Sequence, residues 1–337
     1  MNRLLINCPL PIWIVLAICL MSIKNVYAQV EDFQSEWLNT DFETRTVDLE
    51  EIFSGGVPKD GILAILEPEF IPIDEADLLP NEGVMTLELD GQIPRTYPIR
   101  YLLWHEIVND TIADTPVAVT FCPLCNSGVF FDRRLQGETL TFGVSGKLRN
   151  SDMIMYDHNS ESWWQQATGE AIVGLYSGSE LISLPGWTES WKEFMERNEG
   201  QGGLVMAEPQ FNRRYGQNPY VGYELSAMPF LYQGEFSLPN IMPLARVVRV
   251  GNQAWPLERI ILEGGLVQEF GLTITWTSGQ VSALDTQSVG EGINVGSIRV
   301  RDTNTGKDVP HDLMFAFVFG AFFPEGQLMF MPQSEQS

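Results

Sequence analysis

The sequence contains few basic residues, and this shortage limits the partners that the protein can have. Lys and Arg number 20 against 44 Asp and Glu in 337 residues, so the formal net charge is −24. A surface with this charge repels nucleic acid and anionic membranes, so neither is expected as a partner. The sequence also has no Gly-rich nucleotide loop, no nucleophile elbow and no HExxH motif. Their absence argues against nucleotide-binding proteins, α/β-hydrolases and zincin proteases.

Apolar runs long enough to span a membrane are absent as well, and a short apolar run lies at the N-terminus. Arg3 precedes the ten apolar residues Ile12–Met21, and the small-residue pattern of a cleavage site ends at Ala28. A membrane-spanning helix needs about 20 apolar residues. We therefore interpret residues 1–28 as a secretory signal peptide cleaved after Ala28. We expect a periplasmic or secreted protein with no stable membrane insertion after cleavage; the alternative is an uncleaved N-terminal membrane anchor.

Cysteine is scarce, and the mature chain keeps only Cys122 and Cys125, in the motif Cys-Pro-Leu-Cys. Two intervening residues hold both thiols close enough to share a metal ion or to form a small-ring disulfide. Cys-Pro-x-Cys is also typical of glutaredoxin-like active sites, where the motif opens a helix that lowers the thiol pKa. Here the apolar residues 129–131 follow, which indicates a strand and argues against a thioredoxin fold. A structural disulfide or inert thiol pair, a metal site and a redox centre all stay open.

A metal site would need ligands beyond the two cysteines, since a structural zinc site has four. The sequence has only three histidines. His105 lies on a segment with helical spacing just before the cysteine strand, where it could serve as a ligand or as a base for the thiols. The alternative is a hydrogen-bonded core histidine. Met153 and Met155 share one face of a predicted strand and could supply thioether ligands to copper, or simply fill the core.

Short apolar segments separated by turn residues predict a β-rich α+β fold, with many short, mostly antiparallel strands and few helices. We expect an N-terminal arm over residues 29–60 and a single domain over residues 61–337. Residues 145–150 are predicted to form a polar loop. Thr188 is predicted to cap the clearest helix, which runs to Glu196.

The sequence also contains two regions with a weak internal similarity. Residues 245–262 resemble residues 85–103 in having an alternating strand, a Gly turn, an aromatic-Pro-apolar step and an apolar helix-like run. Residues 271–279 resemble residues 116–128 without the cysteines. These patterns indicate a degenerate internal duplication with halves at 61–200 and 241–330. The alternative is that β-proteins often reuse such patterns.

Several motifs in order resemble the bacterial and archaeal DUF3179 family, a domain of unknown function. They are Tyr97–Asp110 with its WHEIVND, Thr120–Arg134 with its TFCPLC, Leu140–Asp157 with its FGVSGKLRNS, Ser162–Gly174 and Asn218–Glu224. The resemblance covers roughly residues 60–325 and implies no established activity. It places these residues in the family pattern with the two cysteines and His105: Glu106, Asn109, Asp110, Ser145, Gly146, Asn150, Tyr156, Asp157, Trp164 and Gln166. Arg is common in the family where this chain has His158, which argues against His158 as a ligand.

The leading hypothesis is an exported soft-metal protein that binds copper or zinc through Cys122, Cys125 and His105, with Met153 or Met155 as further ligands. The supporting residues would be Glu106, Asp110, Ser145, Asn150, Asp157, Trp164 and Gln166. A thiol–disulfide oxidoreductase using the same two cysteines, with His105 as base, is the competing hypothesis. The third is a scaffold in which a disulfide only staples a hairpin. The sequence predicts no particular protein or small-molecule partner.

Overall fold

The computed structural model describes residues 33–330 and confirms a β-rich fold of mostly antiparallel sheets with a few short helices. The helices are α1 (Ile99–His105), α2 (Trp191–Asn198), α3 (Leu257–Leu262) and α4 (Ala316–Phe322), with a further helical turn at residues 33–36 and 3-10 turns at Leu49–Glu51, Ile73–Glu75 and Tyr223–Leu225. No helix within residues 33–330 has the length and apolar character needed to cross a membrane. The predicted signal peptide lies outside the described residues.

The strands are short, and most of them pair with a neighbour in the sequence. They are β1 (Ile52–Ser54), β2 (Phe70–Pro72), β3 (Gly83–Leu87), β4 (Arg95–Pro98), β5 (Ile107–Ile112), β6 (Thr115–Cys122), β7 (Ser127–Asp132), β8 (Arg134–Leu135), β9 (Glu138–Thr139), β10 (Phe142–Arg149), β11 (Asp152–Asp157), β12 (Trp163–Gln165), β13 (Ala171–Val173), β14 (Ile182–Leu184), β15 (Trp187–Ser190), β16 (Leu204–Met206), β17 (Arg246–Val250), β18 (Gln253–Pro256), β19 (Leu266–Glu269), β20 (Leu272–Thr277), β21 (Ser297–Asp302), β22 (Asp312–Phe315) and β23 (Gln327–Leu328).

Two sheets carry the motifs of the first half of the chain. One has the order β14-β7-β6-β5, and its β6–β7 hairpin contains the cysteine motif. The other has the order β1-β10-β11-β12-β13. Apolar side chains of both sheets belong to one core cluster, which also includes the two cysteines. The two sheets therefore bring motifs about 30 residues apart in the chain to the same buried region.

An eight-stranded sheet joins the two predicted halves, with the order β19-β20-β21-β15-β3-β4-β16-β2. The junction is the antiparallel pair of β15 with β21, where Thr188 lies opposite Ile298. A further four-stranded sheet has the order β22-β17-β18-β23. Since one sheet contains strands from both halves, the halves share backbone hydrogen bonds as well as side-chain contacts.

The order of elements recurs between the two halves. The run β3-β4-α1-β5-β6 in the first half corresponds to β17-β18-α3-β19-β20 in the second. In both runs a proline, Pro98 or Pro256, immediately precedes the helix. Proline suits this place because its fixed φ matches the chain entering a helix and its missing N–H would have no intrahelical partner.

A second recurring feature is an aromatic donor bonded to an acid, which is buried in the first half and partly exposed in the second. The Tyr97 hydroxyl donates to Asp110 Oδ2 over 2.6 Å in the first half. The Trp255 indole N–H donates to Glu269 Oε2 over 2.8 Å in the second. Each aromatic residue precedes the proline, and each acid is the fourth residue of the next strand. This pair therefore belongs to the framework, and Asp110 is part of it.

The N-terminal arm packs against the five-stranded sheet. Phe33, Trp37 and Phe42 are buried, and each ring centroid lies 5.2–5.4 Å from that of Trp163 in an edge-on arrangement. Edge-on aromatic contacts of this kind add to the free energy gained by burying the rings. The arm thus supports the outer face of the sheet that carries β11.

Two predictions about local structure are wrong. The helix α2 begins at Trp191, because Ser190 caps it: the Ser190 hydroxyl accepts from the Glu193 N–H while Glu193 accepts from the Ser190 N–H. Thr188 instead lies in β15. Residues 145–150 form the end of β10 and its turn, with a bulge between Val144 and Lys147. The polar composition favours a loop, but Ser145, Gly146 and Lys147 are buried within the sheet.

Candidate metal site

The cysteine motif forms the turn between two antiparallel strands. Cys122 ends β6 and lies opposite Ser127, which begins β7. The turn closes through hydrogen bonds from the Cys125 N–H to the Cys122 carbonyl (3.1 Å) and from the Asn126 N–H to the Pro123 carbonyl (3.3 Å). As predicted, a strand and not a helix follows the motif, so no helix dipole lowers the thiol pKa values.

Both thiols are free, buried and directed toward each other. The two Sγ atoms lie 2.9 Å apart. Relative exposure is 1% for Cys122 and 0% for Cys125. Such close, water-excluded sulfur atoms can jointly hold a metal ion once they are deprotonated.

Asp152 completes a group of three, and sequence reasoning missed it. The β10–β11 hairpin turns through Asn150 and Ser151, whose φ values of 47° and 68° match a two-residue turn with both central residues left-handed. This turn places Asp152 Oδ1 3.1 Å from Cys125 Sγ. The ligand atoms of Cys122, Cys125 and Asp152 all lie within 4.8 Å of one another, so the group could hold a metal ion.

The Asp152 carboxylate is held in place from its other side. Its Oδ2 accepts from Gln165 Nε2 (2.6 Å) and from the Ala167 N–H (3.0 Å). Hydrogen bonds from second partners fix a carboxylate for metal binding in this way.

Burial controls the protonation of all three groups. It raises the pKa of Cys122 and of Asp152, and it raises the pKa of Cys125 well above its ordinary value. Hydrogen bonding between the thiols and the negative charge of Asp152 add to the increase at Cys125. No hydrogen bond to the three groups within residues 33–330 comes from Lys or Arg. Without a bound cation, burial therefore disfavours the charged form of all three groups.

Glu106 adds a second buried carboxylate to this region. It is 7% exposed, and its Oε1 accepts from the Tyr220 hydroxyl over 3.2 Å. Burial raises the pKa of Glu106 to about 7, the Tyr220 hydrogen bond opposes the shift, and the negative charge of Asp152 adds to it. The same residue contributes to the raised pKa of Cys122. Glu106 thus belongs electrostatically to the cysteine group.

A long segment with little regular structure, residues 207–244, covers the site; we call it the covering segment. Its only helical or strand element is the 3-10 turn Tyr223–Leu225. The Tyr223 hydroxyl donates to the Leu124 carbonyl in the cysteine turn over 2.9 Å. Tyr220 reaches Glu106 from the same segment. Both tyrosines lie in the Asn218–Glu224 motif, which is the sequence signal that could have placed them at the site.

The structure does not bring His105 to the thiols. Its Nδ1 lies 2.6 Å from the Leu63 carbonyl and its Nε2 lies 2.6 Å from the Tyr215 hydroxyl. The ring also packs against Phe211. Both ring nitrogens are therefore occupied in the described structure, and His105 is a hydrogen-bonded core residue that anchors the covering segment. Burial lowers its pKa, which keeps the ring neutral.

Met153 and Met155 are buried in the same core cluster as the cysteines. The Met153 backbone forms a hydrogen bond to the Cys122 thiol that lowers its pKa. This contact involves the main chain and does not depend on the thioether. The two methionine side chains therefore belong to the packing around the group.

The remaining predicted supporting residues mostly hold strands together. Asp110 accepts from Tyr97 and from Arg95 Nη1, as part of the recurring framework pair. Asp157 accepts from the Trp164 indole N–H over 2.9 Å, and Gln166 donates to the Thr120 hydroxyl over 3.0 Å. The Ser145 hydroxyl donates to the Ile154 carbonyl across the β10–β11 bulge. Asn150 supplies the left-handed turn that positions Asp152.

A further buried carboxylate, Asp312, supports the cysteine hairpin from the second half. It accepts from the Ser127 hydroxyl (2.5 Å) and from the Gly128 N–H (3.2 Å). Burial raises its pKa to about 6, although the positive charge of Arg249 opposes the shift. Sequence reasoning did not select Asp312, because nothing in its local pattern shows which strand it faces.

Comparison with known proteins identifies the family but no activity. No curated protein and no solved structure matches the chain. A family model described as a protein of unknown function, DUF3179, matches residues 59–326. This match covers most of the chain, including the cysteine hairpin, Asp152, Glu106 and the covering segment. The chain therefore belongs to the DUF3179 family.

Proposed function

We propose that this protein binds a zinc- or copper-class metal ion through Cys122, Cys125 and Asp152. The observation that carries the proposal is the convergence of two buried thiols and a buried carboxylate within 4.8 Å. Buried ionisable groups are costly unless they are paired or coordinate a metal. A cation would allow all three groups to ionise together, and binding would release their protons.

The donor set favours a divalent ion of the zinc class. Zn²⁺ accepts cysteine sulfur and carboxylate oxygen, whereas Cu⁺ prefers purely soft ligands. Three protein ligands leave a fourth position for a water molecule or another side chain. Within the described residues, the second half lacks an equivalent cysteine pair, because the position that corresponds to Cys122 is Thr277. The two positions correspond because each lies two residues after a threonine, Thr120 or Thr275, whose hydroxyl donates to a carbonyl of the paired strand.

The competing redox function has one observation in its favour, the 2.9 Å separation of the two sulfur atoms. Thiol–disulfide exchange requires an accessible thiolate. Here both thiols are buried, and burial raises both pKa values. The structure therefore supports metal binding better than exchange with an external disulfide.

The test is the metal content of the mature protein, purified anaerobically and loaded with Zn²⁺ or Cu⁺ under a competing chelator. We expect one ion per chain in the wild type and loss of that ion in Cys122→Ser, Cys125→Ser and Asp152→Asn. His158→Ala serves as a matched control, because His158 is exposed and outside the group. Co²⁺ substitution would show thiolate ligation directly by its charge-transfer absorption. A wild-type protein that binds neither metal, or a double cysteine variant that still binds one, would refute the proposal.

A further inference from the structure

Glu106 has an unfavourable backbone conformation. Its φ of 58° and ψ of −33° fall outside the regions that residues with a side chain normally occupy. They lie toward the rare and strained γ-turn region. Among non-glycine residues such conformations persist only where the surrounding structure holds them, and they cluster at functional sites.

In the second half of the molecule, which lacks the cysteine pair, Gly265 occupies the position that corresponds to Glu106. Gly265 stands immediately before β19, as Glu106 stands immediately before β5. Each residue accepts the same cross-strand hydrogen bond through its carbonyl: from the Phe121 N–H to Glu106 and from the Trp276 N–H to Gly265, both over 2.8 Å. Gly265 has a φ of 83°, and a Cβ there would lie 2.8 Å from the Trp276 carbonyl oxygen. Glycine thus fits this backbone geometry, and glutamate does not.

The strained residue lies beside the cysteine strand, because its carbonyl accepts from the N–H of Phe121, the residue before Cys122. Glu106 is buried, and its carboxylate is electrostatically coupled to Cys122 and Asp152. It receives a hydrogen bond from Tyr220 of the covering segment and, within the described residues, forms no ion pair. A strained backbone and an uncompensated buried carboxylate are two separate costs at one residue. Gly265 bears neither cost, and it lacks only the hydrogen bond that Tyr220 donates to Glu106.

We propose that Glu106 is the second carboxylate of the metal site and that it makes the site selective for divalent over monovalent cations. This inference rests on the proposed function. Glu106 would act from just beyond the ligands, because the ligand atoms that lie within 4.8 Å of one another are those of Cys122, Cys125 and Asp152. At a given distance, a further carboxylate attracts a divalent ion about twice as strongly as a monovalent ion. Its negative charge therefore favours Zn²⁺ over Cu⁺.

The experiment compares Zn²⁺ and Cu⁺ affinities of the mature protein by chelator competition, for the wild type and Glu106→Gln. Changes in residues around a metal usually weaken binding by about 10- to 100-fold. We expect the Zn²⁺ affinity of Glu106→Gln to fall at least about tenfold, while the Cu⁺ affinity changes less than about threefold. Tyr220→Phe is the matched control, because it removes the hydrogen bond but keeps the carboxylate. It should retain the wild-type preference for Zn²⁺.

The outcomes separate this inference from the function on which it rests. A wild type that binds neither ion refutes both. A wild type that binds zinc, with equal Zn²⁺ affinity or equal loss of both ions in Glu106→Gln, refutes only the role of Glu106. If Glu106→Gln does not fold, Glu106→Gly gives the same comparison with a residue that fits the backbone, and it must show the same loss of zinc preference.

Discussion

Replacing Glu106 by glycine or by alanine provides a direct measure of the strain stored at the site. Both variants remove the carboxylate and the Tyr220 hydrogen bond, so the difference between them isolates the effect of a Cβ at φ 58°. At an ordinary position alanine is more stable than glycine by roughly 0.5–1 kcal/mol. A disfavoured backbone conformation costs a residue with a side chain about 1–3 kcal/mol. We therefore expect Glu106→Gly to be more stable than Glu106→Ala by about 0.5–2 kcal/mol.

The assay is urea unfolding of the mature protein with a chelator present, so that metal binding does not contribute. Two alanines in other places provide the controls. Ala113 has a φ of 51° in an exposed turn, so Ala113→Gly should also stabilise the protein. Ala76 has a φ of −85°, so Ala76→Gly should destabilise it. If Glu106→Ala proved as stable as Glu106→Gly while both controls behaved as expected, the strain argument would be wrong.

Three further predictions concern thiol reactivity, the framework and the pH dependence of stability. Because burial raises their pKa values, Cys122 and Cys125 of the native metal-free protein should react with iodoacetamide at least about tenfold more slowly than in urea, and faster as pH rises; equal rates would contradict burial of the thiols. Tyr97→Phe should lower the free energy of unfolding by about 0.5–1.5 kcal/mol, because it removes one hydrogen bond from the buried Asp110, which keeps its bond from Arg95. Trp255→Phe should lower it less, because Glu269 is partly exposed and keeps its ion pair with Arg259, and urea unfolding of both variants checks this order. Asp312 keeps its proton to about pH 6 when folded but loses it near 3.8 when unfolded, so the folded state binds more protons in between and stability falls as pH rises from about 4 to 6. The free energy of unfolding should therefore fall by about 3 kcal/mol over this pH range. In Asp312→Asn this part of the pH dependence should disappear, which urea unfolding at several pH values would measure.

The fold class and the cysteine hairpin could be predicted because their signals are local. Alternating apolar residues and turn residues identify short strands, and Val129 to Phe131 indicate that the chain returns as a strand after Cys125. The helix start was harder to place. Thr188 and Ser190 both suit an N-cap, and only the hydrogen bonds with Glu193 show that Ser190 is the cap.

The composition of the site could not be predicted because it depends on how two sheets pack together. His105 is the histidine closest in sequence to the cysteines, yet its ring nitrogens bond to Leu63 and Tyr215. Asp152 reaches Cys125 only because a hairpin from another sheet ends at the same place. No periodicity or spacing along the chain contains that information. Glu106, the residue after His105, is the one that we assign to the site. Its unusual backbone conformation is recognised only by comparison with Gly265 in the second half.

The covering segment would control the rate at which a bound ion is exchanged, whereas the ligands would control its affinity. Apart from the turn at Tyr223–Leu225, residues 207–244 form no helix or strand, and a few bonds such as that of Tyr223 to Leu124 fix them to the hairpin. Segments of this kind open locally at lower free energy than sheets do. Residence time at the proposed site would then follow the opening of this segment. Weakening the contact of Tyr223 with Leu124 would speed release of the ion without changing its ligands. Replacing Asp152 would change the affinity for the ion without changing the opening of the covering segment.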